Sequence, residues 1–161
     1  MGVPSDGMDE PRWLSPRELH AWRDFLAAAA TLDRLVEQQL KDEAGLSHAQ
    51  YEVLTRLSTA PRGELRMTEL AGAALTSKSG LTYQVGQLEK AGLVRRKSCE
   101  SDVRGVVASL TDAGWAKVRA TAPGHAALVG EHFVAGVDPA LFDGLADGLA
   151  SLVAHLREVA G

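Results

Sequence analysis

The 161-residue chain has one cysteine, Cys99, so it can form no internal disulfide and build no thiolate metal site within one chain. Aromatic residues make up only 5% of it, and no apolar run approaches the ~20 residues that a bilayer-spanning helix needs. A membrane helix is therefore not expected. The first ten residues are acidic where a secretory signal would be basic and then apolar, so the expected compartment is the cytoplasm. The chain also lacks a G-x-S-x-G elbow, a P-loop, a G-x-G-x-x-G turn and an H-E-x-x-H pair, and an enzyme is not expected. His20, His48, His125, His132 and His155 are scattered, and only His125 and His132 share a helical face, at i, i+7. Neither a metal site nor a cofactor is expected from them.

An overall excess of positive charge is missing too, the net charge being −4, but the charge is unevenly distributed. Residues 1–61 carry six Lys and Arg against ten Asp and Glu, residues 62–108 eight against five, and residues 109–161 three against six. A basic centre between acidic ends suits a nucleic-acid reader carried on helices with another task, while the ends limit nonspecific binding.

The flanking helices are legible from their caps. Ser15-Pro16-Arg17-Glu18 combines an N-cap serine, a proline at the first helical position and a glutamate three residues after the cap. The helix it opens is expected to run to about Glu43, with Leu19, Trp22, Leu26, Leu32, Val36 and Leu40 as its apolar positions. Ser47-His48-Ala49-Gln50 is a second capping box, opening a helix with Tyr51, Leu54 and Leu57 on one face. Asp138-Pro139 starts the last helix, in which Leu141, Leu145, Leu149, Leu152 and Leu156 form a narrow stripe of the kind that makes a helix–helix seam. Between these, a helix from Thr111 is expected to break at Thr121-Ala122-Pro123-Gly124.

The centre holds the most informative order of elements. After the break at Ala60-Pro61-Arg62-Gly63 come a short strand at Glu64-Leu65-Arg66, a small helix from Thr68 to Ala74, a turn at Leu75-Thr76-Ser77 and a helix to Ala91. Leu81, Val85 and Leu88 point that helix inward and leave a polar, nearly uncharged outer face. A basic strand Val94–Cys99, a hairpin turn at 100–105 and an apolar strand Val106–Leu110 follow. This is the layout of a winged helix-turn-helix: a mainly α fold with a small β-wing, flanked by N- and C-terminal dimerisation helices. One domain is expected, with residues 47–110 as the DNA-binding part and 13–45 and 120–160 as the dimerisation part.

The sequence resembles the MarR family of bacterial winged helix-turn-helix transcription regulators, over about Trp13 to Leu156. The most specific match is a D-x-R-x5-L-T-x-x-G pattern, met by Asp102, Arg104, Leu110, Thr111 and Gly114. The run Leu88-Glu89-Lys90-Ala91-Gly92-Leu93-Val94-Arg95-Arg96 and the triplet Glu69-Leu70-Ala71 match in order as well. Arg66 departs from the pattern, since many members have a Ser or Thr helix cap there. The resemblance implies an obligate homodimer, two winged helices on a pseudo-palindromic operator and often a small ligand between dimer and DNA parts.

Hydroxyl, amide and basic side chains on the N-terminal turns of a recognition helix can meet base edges in the major groove, which singles out Ser77, Lys78, Ser79, Thr82, Tyr83 and Gln87. Arg104 at the hairpin can reach into a narrow minor groove, held by Asp102. Arg95, Arg96 and Lys97 are candidates for phosphates, but strand alternation prevents all three from pointing at DNA. By the resemblance, Trp22, Phe25, Tyr51, Trp115 and His132 lie around an effector pocket suited to a small aromatic or phenolic compound; aromatics at helical spacing also serve as plain core. Neighbouring cations can lower the pKa of Cys99, but family members that sense peroxide carry their cysteine near the N-terminus, and Cys99 is read as structural. The expected function is sequence-specific regulation of transcription as a homodimer on duplex DNA, with repression relieved by an effector. The alternative is a winged-helix protein-interaction module without DNA binding.

Overall fold

The computed structural model describes residues 11–73, 78–99 and 102–160. Six helices and three strands follow in the order α1 (Pro16–Ala44), α2 (His48–Thr59), β1 (Glu64–Arg66), α3 (Met67–Ala73), α4 (Lys78–Lys90), β2 (Val94–Cys99), β3 (Asp102–Leu110), α5 (Asp112–Val129) and α6 (Pro139–Ala160). The fold is mainly helical with one antiparallel sheet ordered β1-β3-β2. The chain divides into two units, one ending at Thr31 and the other beginning at Leu32.

In the first unit, the start of α1 is fixed as its sequence requires. The Glu18 amide donates to Ser15 Oγ at 3.2 Å and the Ser15 amide to Glu18 Oε2 at 2.8 Å, a reciprocal capping box. From there the helix presents Trp22, Phe25 and Leu26 to solvent.

The second unit holds the core. Leu40, Leu54, Leu57, Leu70, Leu81, Leu88, Val53, Val85 and Val94 are its largest fully buried side chains, drawn from α1 to α4 and β2. At about 1.5–3 kcal/mol per buried aliphatic side chain, this cluster fixes α4 on α2. Ser47 caps α2 with the full capping box expected of it. Between α2 and β1 the chain turns through a 3₁₀ segment, Pro61–Gly63, with positive φ at Arg62 (58°) and Gly63 (69°). The Trp115 ring lies where a Gly63 side chain would have to go, so only glycine fits.

Two sequence expectations change, and the departure at Arg66 finds its explanation. The helix expected to break at Thr121–Gly124 runs through, with Pro123 inside α5 and a π-helical turn after it at Gly130–Val134. Proline removes one amide from the ladder, but the turn around it is held by packing: Thr121 is buried, its hydroxyl donates to the Lys117 carbonyl at 2.9 Å, and Gly124 sits against Gln39 and Glu43. The wing is longer than expected, since β3 begins at Asp102 and the register shifts between Ser98↔Val106 and Cys99↔Asp102. Arg104 therefore lies within a strand at an irregularity and not in the turn. Arg66, without a capping hydroxyl, has its amide satisfied by Glu69 Oε2 at 2.8 Å, so the residue three positions on supplies half a capping box to α3.

Candidate nucleic-acid interface

Recognition by α4 depends on how it is stopped and held. Leu93 N–H donates to the Leu88 carbonyl and Gly92 N–H to the Glu89 carbonyl, each at 3.0 Å, with Gly92 at φ 72°. This is a Schellman stop, and its left-handed glycine turns the chain directly into β2. With Leu81, Val85 and Leu88 buried, the opposite face carries Ser79, Thr82 and Tyr83 exposed, Tyr83 at 63%, and Gln87 half-buried beside them. These four expected base readers are brought onto one helix. Ser77 lies outside the described residues, as do the side chains of Lys78, Cys99, Asp102 and Arg104.

The three basic residues of β2 separate by alternation. Arg96 pairs with Ala108, while Arg95 and Lys97 pair with Ser109 and Val107 and so share the other face. Arg96 reaches α4: its Nε and Nη2 donate to Glu89 Oε2 at 2.9 and 2.6 Å, and its amide to Oε1 at 3.2 Å. These bonds hold the Glu89 carboxyl below its ordinary pKa range, so it remains the acceptor at neutral pH. Glu89 stands in the Leu88–Arg96 run that carries the resemblance but was given no role there, because its pairing with Arg96 depends on how β2 returns beside α4.

A cavity of about 390 Å³ opens between the start of α3, the outer face of α4 and the wing, lined among others by Arg66, Thr68, Thr82, Arg96 and Gly105. It joins the elements of the reader at one place.

The residues expected around an effector are differently placed. Trp22 and Phe25 stack within α1 at a centroid distance of 6.1 Å. Tyr51 is buried with its ring 4.9 Å from that of His125, Trp115 packs on the core against Gly63, and His132 is exposed in the π-helical turn. Among the described residues no ring pair joins Trp115 or His132 to Tyr51.

Near Tyr51 the fold gathers groups far apart in sequence. His48 Nδ1 lies 2.7 Å from Asp33 Oδ1, the His48 amide donates to Glu37 Oε2 at 2.6 Å, and Gln39 bonds Glu43 at 2.6 Å. His125 Nδ1 is buried with no hydrogen-bond partner among the described residues. Burial, and secondarily the charge of His48, hold the His125 pKa below the ordinary imidazole value, and burial raises that of the Tyr51 hydroxyl. A depressed histidine favours the neutral ring in the folded chain, so its stability is complete above the ordinary imidazole pKa and falls as pH drops toward the folded value. Between about pH 7.5 and about pH 5.5 the melting temperature is expected to fall more in the wild type than in His125→Leu. Equal losses in thermal melts would show that this ring does not report pH.

The MarR family model matches residues 46–106. The chain is 40% identical to the MarR family transcriptional regulator Sco3205 of Streptomyces coelicolor, whose crystal structure is a complex with DNA; 92% of each chain is covered, with a TM-score of 0.86. It is 39% identical to AbsC, a MarR family transcriptional regulator of the same organism, over 92% of this chain and 99% of that one, with a TM-score of 0.85. An uncharacterized HTH-type transcriptional regulator, YkoM, of Bacillus subtilis strain 168 is 28% identical over 125 residues, 76% of this chain and 77% of its own.

Proposed function

The chain belongs to the MarR family of transcriptional regulators and is a DNA-binding protein, and we propose from that premise that it acts as a homodimeric repressor released by a small effector. The observation that carries this reading is the polar face of α4, with Ser79, Thr82 and Tyr83 exposed above a fully buried Leu81-Val85-Leu88 stripe and a basic wing strand beside it. In this reading Ser77, Lys78, Ser79, Thr82, Tyr83 and Gln87 meet base edges, and Arg95, Arg96 and Lys97 are the candidates for the backbone, which strand alternation keeps from all meeting it from one face. Arg104, held by Asp102, enters the minor groove. Residues 47–110 read DNA, while 13–45 and 120–160 join two chains. The effector is a small aromatic or phenolic compound, acting by favouring a dimer whose reader spacing no longer matches the operator.

Random-site selection tests it. Two recognition helices on a two-fold axis meet major grooves about one turn apart, so the selected site is an inverted repeat with half-sites centred roughly 10 bp from each other. Gln87→Ala and Lys78→Ala each change the bases preferred. Arg104→Ala weakens operator binding by about 1–3 kcal/mol without changing the melting temperature. A non-palindromic selected site, or unchanged preference in both helix variants, would place the wrong surface on DNA.

A further inference from the structure

Resting on the reading of α4 and the wing as a DNA reader, we propose that the cavity between α3, α4 and the wing seats one phosphodiester of the DNA backbone. Arg66 and Arg96 are its cations, and Glu89 is the positioning residue for Arg96. Among the described residues the cavity is lined by two guanidinium-bearing and two hydroxyl-bearing side chains, Arg66, Arg96, Thr68 and Thr82, which are donors of the kind a tetrahedral oxyanion accepts from. Its volume of about 390 Å³ lies at the low end for small-ligand sites and admits a phosphate together with its flanking sugar, for which Met67 and Val106 supply apolar wall.

Arg96 is set for this task by its partner. Glu89 Oε2 takes the Nε and Nη2 protons on one side of the guanidinium, two of its five donors, and fixes the plane of the group. The end-on Nη1–Nη2 fork is then directed by a side chain of the recognition helix itself, so the phosphate contact and the base-reading face are built as one piece. Arg66 takes part because the strand β1 ends there, and Glu69 supplies the capping bond that a Ser or Thr at this position would share. The sequence's departure from the family's cap residue thus adds a cation to the DNA side.

The test measures duplex binding across a salt series for the wild type, Arg66→Ala, the milder Arg66→Gln and Glu89→Gln, each checked for folding by thermal melting. Arg66→Ala and Arg66→Gln are expected to lower the slope of log affinity against log salt by about 1 and to weaken operator and random duplex by equal factors. Glu89→Gln discriminates by sign: removing a negative charge near DNA strengthens binding by Coulomb's law, whereas loss of the Arg96 hold weakens it, and weakening is expected. In duplexes carrying single neutral methylphosphonate linkages, one position per half-site lowers wild-type affinity and costs Arg66→Ala less, because only the Arg96 contact is left to lose. If the wild type binds with a normal salt slope and the Arg66 variants keep that slope, or Glu89→Gln binds more tightly, the seat is wrong while the DNA reading stands. If the wild type binds no duplex at all, the reading itself fails. Saturable binding of inorganic phosphate to the DNA-free protein at constant ionic strength, lost in Arg66→Ala, would instead assign the cavity to a free anion and overturn the proposal.

Discussion

A double variant, Leu152→Asp with Leu156→Asp, is expected to sediment as one chain where the wild type sediments as two. Both leucines lie on α6 and are exposed in the single chain, at 40% and 53%, as are Leu141, Val153 and Val159 along the same helix. An apolar stripe this long is expected to be covered, and a second copy of the same helix is the partner that self-complementary symmetry would supply. About half of each leucine remains to be buried, so four lost leucines in a dimer remove about 3–6 kcal/mol. That is about two to four orders of magnitude in the dimer constant, before the cost of desolvating four carboxylates. Because neither side chain belongs to the buried core, helicity by circular dichroism is expected to survive while operator affinity collapses. A wild type that sediments as a single chain at micromolar concentration would remove the dimer from the mechanism, and a variant that remains paired would move the seam elsewhere.

The parts of this fold that were legible in the sequence are those fixed by local chemistry. Ser15 and Ser47 cap because a serine three residues before a Glu or Gln can accept the later residue's amide at its hydroxyl while its own amide donates to that residue's side chain, and both boxes form. Leu81, Val85 and Leu88 are buried because their spacing puts them on one side of a helix. What was not legible depends on neighbours distant in sequence. Pro123 reads as a break until packing of Thr121 and Gly124 outweighs the lost amide. The shifted register that puts Arg104 inside β3 arises from pairing with β2, which a turn-rich segment does not announce. Of the candidate site, the α4 face was read directly, and Glu89 and Arg66 were named without a role; their partners, and the His48–His125 group, become visible only when α4 meets β2, β1 meets α3, and α2 meets α5. The separation of Arg96 from Arg95 and Lys97 was foreseeable as a rule of strands, though which residue turned toward α4 was not.

The glycine of the L-T-x-x-G motif gives the largest expected effect on stability. Gly114 lies in the first turn of α5, where its amide donates to Thr111 Oγ1 at 3.1 Å, and the Thr111 hydroxyl in turn donates to the Gly92 carbonyl at 2.6 Å. A Cβ at Gly114 would run into the carbonyl oxygen of Leu93 and meet Leu110 Cδ2 at 3.0 Å. That carbonyl accepts the Thr111 amide at 3.1 Å, so it is backbone held in place and cannot rotate away as a side chain would. Gly114→Ala gains at most about 1 kcal/mol of helix propensity. Against this stand about 1–3 kcal/mol of overpacking and about 1 kcal/mol for each hydrogen bond displaced from Leu93 or Gly92. The net loss is expected to be about 2 kcal/mol or more, a fall of about 4–8 °C in melting temperature for a chain of this size. The damage falls where α4, β2 and α5 meet, so operator binding weakens with it even below the melting range, because the recognition helix and the wing lose their common anchor. Gly86→Ala is the control of opposite sign: nothing lies within 4 Å of its added Cβ, so the propensity gain stands alone and the melting temperature rises slightly. Thermal melts of the two variants side by side decide the matter, and a Gly114→Ala protein as stable as the wild type would mean that the motif glycine is not there to let α5 approach Leu93.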